Sequence, residues 1–177
     1  MKEEDIYKEN DYIEIRDEIY QILGVNTQKF TLDLEKVDLS KVQKEPPQKK
    51  MFQAKEFTTR ETISLESLRG KYVLLDFWGV WCNPCIKELP HLKDLYDKTD
   101  RSKFEIVGIA VRSAPDRLQN AIELHDITWP QILSDEIAKA YEIERYPTTF
   151  LIDPEGNIIA KDLRGDELEK KILSLTQ

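Results

Sequence analysis

Cys82 and Cys85 are the only thiols in a chain of 177 residues, and two residues separate them. The segment Trp81-Cys82-Asn83-Pro84-Cys85 follows an apolar run, Tyr72 to Phe77, and opens a helix expected to reach about Asp97. Two cysteines in the first turn of a helix can close a small disulfide and open it again. Only thiolate attacks a disulfide, and the free N–H groups and positive dipole at a helix start favour that anion, which lowers cysteine pKa there to roughly 3.5 to 7.5. Dipole energies of about 0.3 to 2 kcal/mol move a pKa by at most about 1.5, so hydrogen bonds to the sulfur must supply any larger change. Cys82 is therefore the expected nucleophile, its sulfur exposed beyond the helix end. Cys85, one turn deeper, is the expected resolving residue, which attacks the mixed disulfide and releases the substrate thiol.

The same pair is also half of a zinc site. A closed zinc site needs about four ligands, and the chain adds no cysteine and only His91 and His125, in separate helices, so redox chemistry is the better reading and no metal or cofactor is expected.

The elements around the cysteines read as alternating strands and helices. Tyr72 to Phe77 is broken by one acid, Asp76, and Phe104 to Val111 repeats the pattern of a strand covered on both faces. Ser113 with Asp116 resembles a capping box for a second helix carrying Leu118, Ala121, Ile122 and His125 on one face, before the apolar Ile132 and Leu133. Thr148 to Ile152 and Ile158 to Lys161 flank the turn Asp153 to Asn157 as a hairpin, and a last helix spans about Asp166 to Leu175. This order predicts an α/β fold of three layers with a mixed central sheet over residues 47–177.

Residues 1–46 differ in character. They hold 7 basic and 12 acidic side chains, against 19 and 22 in the remaining 131 residues. Apolar positions from Tyr12 to Val25 precede a turn-like Asn26 to Lys29, and Phe30, Leu32 and Leu34 alternate with polar residues, so two or three short strands are expected. Such a ribbon buries too little to stand alone, and it reads as a β appendage or the remnant of a larger domain. Lys44 to Lys50, with Pro46 and Pro47, reads as a linker.

The formal charge of −8 and scattered basic residues argue against nucleic acid and favour protein partners. No apolar run approaches the roughly 18 to 20 residues that span a bilayer. Met1 to Asp11 is polar and acidic, unlike a signal peptide, so the expectation is a cytosolic protein or a piece whose targeting segment has been removed.

Two strings carry a family resemblance. Asp76-Phe-Trp-Gly-Val-Trp-Cys82-Asn-Pro-Cys85-Ile-Lys-Glu88-Leu-Pro90 resembles the active-site segment of thioredoxin-fold proteins, and Tyr146-Pro147-Thr-Thr-Phe-Leu-Ile-Asp-Pro-Glu-Gly156 resembles their second signature, a cis-proline before a strand and hairpin. With Trp129-Pro130-Gln131 they are similar to the TlpA/ResA-like thiol-disulfide oxidoreductases of bacteria, related to the AhpC/TSA proteins, over roughly residues 52 to 177. The resemblance implies a thioredoxin-like α/β/α domain and a monomeric extracytoplasmic reductase, periplasmic or membrane-anchored, that exchanges disulfides with protein thiols. It also implies a membrane or soluble thioredoxin-type electron donor. Asp76 matches the buried acid of thioredoxins. A carboxylate in an apolar strand costs several kcal/mol unless paired or protonated, so a raised pKa and a role as proton acceptor for Cys85 are expected. Glu88 matches an acid that sits near the cysteines in ResA-like proteins, and either Asp76 or Glu88 can be the base. Pro147 is expected to turn the backbone of Tyr146 toward substrate, with Trp81 on the same surface.

A disulfide-forming oxidase and a redox-inactive binding module are the alternatives. Peroxiredoxins resemble this pattern in fold but have a threonine three residues before the reactive cysteine, and that position here is Gly79, which disfavours peroxidase chemistry.

Overall fold

The computed structural model describes residues 12–15, 18–26, 31–36 and 51–176. The chain divides into two compact units, Met1–Pro46 and Pro47–Gln177. The predicted linker Lys44 to Lys50 and most of the predicted turn Asn26 to Lys29 lie outside the described residues.

The first unit contains a three-stranded antiparallel sheet, β1 (Tyr12–Ile15), β2 (Glu18–Asn26) and β3 (Thr31–Lys36), with β2 in the middle. Its β2–β3 register is interrupted between Ile22 and Gly24.

The second unit opens with two strands that the sequence reading missed, β4 (Gln53–Lys55) and β5 (Thr62–Ser64), paired antiparallel and followed by a 3-10 turn at Glu66–Leu68. Then come β6 (Tyr72–Trp78), α1 (Asn83–Lys98), β7 (Phe104–Ala110), α2 (Pro115–Leu124) and β8 (Gln131–Leu133). A short α3 (Asp135–Ala140), also unforeseen, precedes β9 (Thr148–Ile152), β10 (Ile158–Lys161) and α4 (Gly165–Thr176). The main sheet has the order β10-β9-β6-β7-β8. Both β6 and β8 run parallel to β7, while β9 runs antiparallel to β6 and to β10, so the sheet is mixed as expected.

Alternation along β6 decides which side chains meet α1. Side chains on a strand project to opposite faces in turn. Leu74 and Trp78 belong to a core cluster with Cys82, Cys85, Leu89, Leu92 and Leu95 of the α1 layer, and Leu168 and Ile172 of α4. Val73, Leu75 and Phe77 belong to the opposite cluster, with Phe52, Leu65, Ala138 and Tyr141. The two clusters are the two interlayer cores of an α/β/α sandwich. Asp76, between Leu74 and Trp78, thus faces the cysteines.

One buried residue joins the early hairpin to this core. Gln131 is 1% exposed, and its Oε1 accepts the Trp78 indole N–H at 2.9 Å. Its backbone N–H donates to the Glu56 carboxylate at 3.2 Å, and its carbonyl accepts the Phe57 N–H at 2.6 Å. The amide of Gln131 occupies the space over Gly108, where a Cβ would approach its Oε1 to 2.2 Å, so a larger residue at that register position would push the Gln131 amide off Trp78.

The expected capping box is corrected. Pro115 sets the start of α2, and its N-cap is Ala114, without a side-chain cap. The Ser113 hydroxyl instead donates to the Val111 carbonyl at 2.8 Å and accepts the Val80 N–H at 3.2 Å, tying the loop after β7 to the loop that carries the cysteines.

Candidate active site

β6 ends at Trp78, and three residues of loop separate it from Cys82, which caps α1. Pro84 lies in the first turn, where a missing N–H removes no helical hydrogen bond. Cys82 and Cys85 form a disulfide with Cα atoms 5.3 Å apart. The Cys85 N–H donates to Cys82 Sγ at 3.3 Å, so the sulfur itself is the N-cap acceptor. This is a direct hydrogen bond of the kind needed beyond the dipole to stabilise a thiolate at Cys82.

The expected exposed sulfur is corrected. Cys82 is 4% exposed and Cys85 2%. An extended backbone at Cys82 (φ −93°, ψ 94°) turns its side chain back along the helix to cap Cys85, and Val80, Ile86 and Tyr146 pack against the core cluster that contains both cysteines. Next to them Trp81 is 45% exposed, and its indole N–H donates to the Val111 carbonyl at 3.1 Å. Gly79 makes room for that ring, because a Cβ there would lie 2.5 Å from the Trp81 Nε1. A threonine at this position would displace Trp81.

The Tyr146–Pro147 peptide is cis. A groove of about 330 Å³ beside it is lined by Arg145, Tyr146, Pro147, Thr148, Asp162 and Arg164. The Arg164 guanidinium donates to the Pro147 carbonyl, and Thr148 Oγ1 donates to the Arg145 carbonyl at 2.9 Å. Among the described residues, neither the N–H nor the C=O of Tyr146 has a hydrogen-bond partner. The Tyr146 ring meets Trp81 edge to face at 5.4 Å. Arg112, which sequence reasoning did not single out, completes this surface with its guanidinium 4.3 Å from the Trp81 ring centre.

Asp76 is 4% exposed. Burial pushes its carboxyl up to about 7, the nearby charge of Glu88 adds to the rise, and Arg164 opposes it. Glu88 itself is half-buried, and its Oε1 accepts the N–H of Gly165, the first residue of α4, at 2.8 Å. The sites of both candidate bases are thereby distinguished: Asp76 lies buried on the cysteine face of β6, while Glu88 is fixed on the start of another helix. Among the described residues, no three of His, Cys, Asp and Glu gather into a group able to hold a metal ion.

Asp76 makes stability depend on pH. Its folded pKa is raised, so the folded protein binds more protons than the unfolded chain between pH about 4 and about 7. Stability from this group is intact below pH about 4, falls as pH rises from about 4 to about 7, and levels off above that, a loss on the order of 4 kcal/mol in all. Urea midpoints measured from pH 4.5 to 8 should therefore fall more steeply for the native protein than for Asp76→Asn. Parallel curves would show that Asp76 titrates normally.

The sequence pattern of the AhpC/TSA family matches residues 42–161. The chain belongs to that family. Within the AhpC/TSA proteins it is similar to the thiol-disulfide oxidoreductase ResA of Bacillus subtilis, 36% identical over 112 residues that cover 62% of each chain. ResA of Bacillus thuringiensis is 33% identical over 112 residues, 62% of this chain and 64% of that one. The chain thus spans less than two thirds of the length of these curated relatives. Among solved structures, the thioredoxin domain of a thiol-disulfide oxidoreductase from Bacteroides vulgatus superposes with a TM-score of 0.67 at 32% identity, covering 72% of this chain and 94% of that one. A thiol:disulfide interchange protein from a Bacteroides species gives 0.64 at 33% identity, with 71% and 86% covered. The fold expected from the sequence, thioredoxin-like α/β, is the one observed.

Proposed function

We propose that the protein is a thiol-disulfide oxidoreductase that reduces disulfides in other proteins through Cys82 and Cys85. The observation that carries this reading is a disulfide at the cap of α1, with a buried carboxyl and an unpartnered backbone edge at Tyr146 around it. In the reduced protein, the Cys82 thiolate attacks one sulfur of a substrate disulfide. A mixed disulfide forms and the first substrate thiolate leaves. The Asp76 carboxylate takes the proton from Cys85, whose sulfur then attacks Cys82 Sγ, closing the protein disulfide and expelling the second substrate thiolate. Two electrons pass from the protein dithiol to the substrate, and a thioredoxin-type dithiol donor restores the reduced pair. Tyr146 offers one N–H and one C=O to an extended substrate segment, and the exposed face of Trp81 packs against it.

In this proposal the protein works as a monomer outside the cytoplasm, in the periplasm or anchored facing it. No helix among the described residues is long and apolar enough to cross a membrane.

The test is catalysed reduction of insulin. The protein should accelerate insulin precipitation by dithiothreitol severalfold, and its dithiol should equilibrate nearer to the reducing end than the oxidising end of the known range, about −270 to −120 mV. That range is worth roughly 7 kcal/mol in disulfide stability. A value at the oxidising end would make the protein a disulfide donor, and no acceleration at all would remove the catalytic reading.

A further inference from the structure

Arg112 follows β7 at the edge of the sheet where the parallel strands β6 and β7 both end, with a left-handed backbone at φ 44°. Its own N–H donates to the Asp135 carboxylate at 2.7 Å. Its guanidinium lies over two rings at once, 4.3 Å from the centre of Trp81 and 5.1 Å from that of Tyr146. Stacking engages the flat face of a guanidinium and leaves the N–H donors around its edge for another group. Arg145 is exposed, immediately precedes Tyr146 and lines the groove beside Pro147. Among the described residues, no carboxylate lies within ion-pair distance of either arginine. The groove's own acid, Asp162, is 3.7 Å from Arg164 instead. Two exposed cations therefore lie beside Tyr146 and its open backbone edge, in a chain whose formal charge is −8.

We propose that Arg112 and Arg145 make the site select protein substrates with a carboxylate side chain next to the reacting cysteine. This rests on the exchange reaction proposed above and names its substrate class. A segment paired with Tyr146 passes beside both arginines, so an Asp or Glu beside its cysteine meets at Arg112 a planar donor that is already ordered by the aromatic rings. A lysine there meets like charge. Exposed pairs of this kind have modest effects on affinity and larger ones on choice of partner.

The test uses the full-length protein, with dithiothreitol as donor, and three peptides that differ only in Glu, Gln or Lys beside a cysteine joined by a disulfide to a common neutral thiol. The expected order of kcat/KM, after subtraction of direct reduction by dithiothreitol, is Glu, Gln, Lys. Glu should exceed Lys by about fivefold at low salt, with the ratio shrinking near 1 M salt, where screening reaches about 3 Å. Arg112→Gln combined with Arg145→Gln should bring the ratio close to one, the corresponding pair of glutamates should invert it, and Arg112→Lys should keep it above one. A merely structural role for Arg112 in holding Trp81 would change all three rates together and leave the ratio alone. Equal rates for the three peptides, or a ratio that survives the double Gln variant, would overturn the inference while leaving the exchange reaction standing. Absence of turnover with every peptide would sink the exchange reading, and this inference with it.

Discussion

Cys82→Ser, incubated with dithiothreitol and insulin, is expected to give no precipitation beyond that of dithiothreitol alone. Serine keeps the shape and even the capping acceptor of Cys82, but its hydroxyl stays protonated and forms no disulfide, so the first step has no substitute. Cys85 is not expected to take over, because it lies inside the first turn of α1 and lacks the N-cap position where the Cys85 N–H supports a sulfur anion at Cys82. Cys85→Ser should behave in the opposite sense. It retains the attacking sulfur and loses the resolving one, so a mixed disulfide with the substrate should accumulate and be visible on a non-reducing gel. Residual catalysis in Cys82→Ser, or trapping by that variant rather than by Cys85→Ser, would reverse the roles.

Asp76→Asn should slow release of the trapped substrate by about a hundredfold while leaving the first attack nearly unchanged, in line with about 10²- to 10⁴-fold for a positioned acid or base. The pH profile carries the sharper signature. With its carboxyl pushed up to about 7, Asp76 is mostly protonated at pH 6 and mostly ionised at pH 8, so resolution should rise across that interval and then level off. The Asn variant should lose this inflection. Glu88→Gln should keep it and move it to lower pH, because the charge of Glu88 is one cause of the rise at Asp76. Stopped-flow measurement of thiol release from a preformed mixed disulfide reads both effects. An inflection that survives in Asp76→Asn and disappears in Glu88→Gln would transfer the role to Glu88.

The parts of this site written in local sequence were legible. The buried runs Tyr72–Trp78 and Phe104–Ala110 lack the polar alternation of a half-exposed strand, and the β9–β10 pair brackets Gly156, which adopts φ 80° in its turn. What escaped was short or long-range. Strands β4 and β5 have three residues each, and α3 has six, too few to show a period. The burial of Cys82 depends on a cap geometry that residue types do not encode. Arg112 lies 31 residues from Trp81, and only the parallel β6–β7 register brings them together. A signal existed all the same: Arg112 follows a fully buried run at the carboxyl end of a parallel strand, the edge where α/β sheets hold their ligands.

The wiring of Gln131 sets a practical lower limit on how far this molecule can be trimmed. A shortened chain starting at Glu66 would retain all five strands of the main sheet, yet it would strip Gln131 of the carboxylate on its N–H and of the N–H on its carbonyl. Two backbone dipoles would then be left bare beside the amide that steadies Trp78, at a cost of about 1 to 3 kcal/mol each if water cannot reach them. Any excised version meant for biophysical work should therefore begin upstream of Phe52.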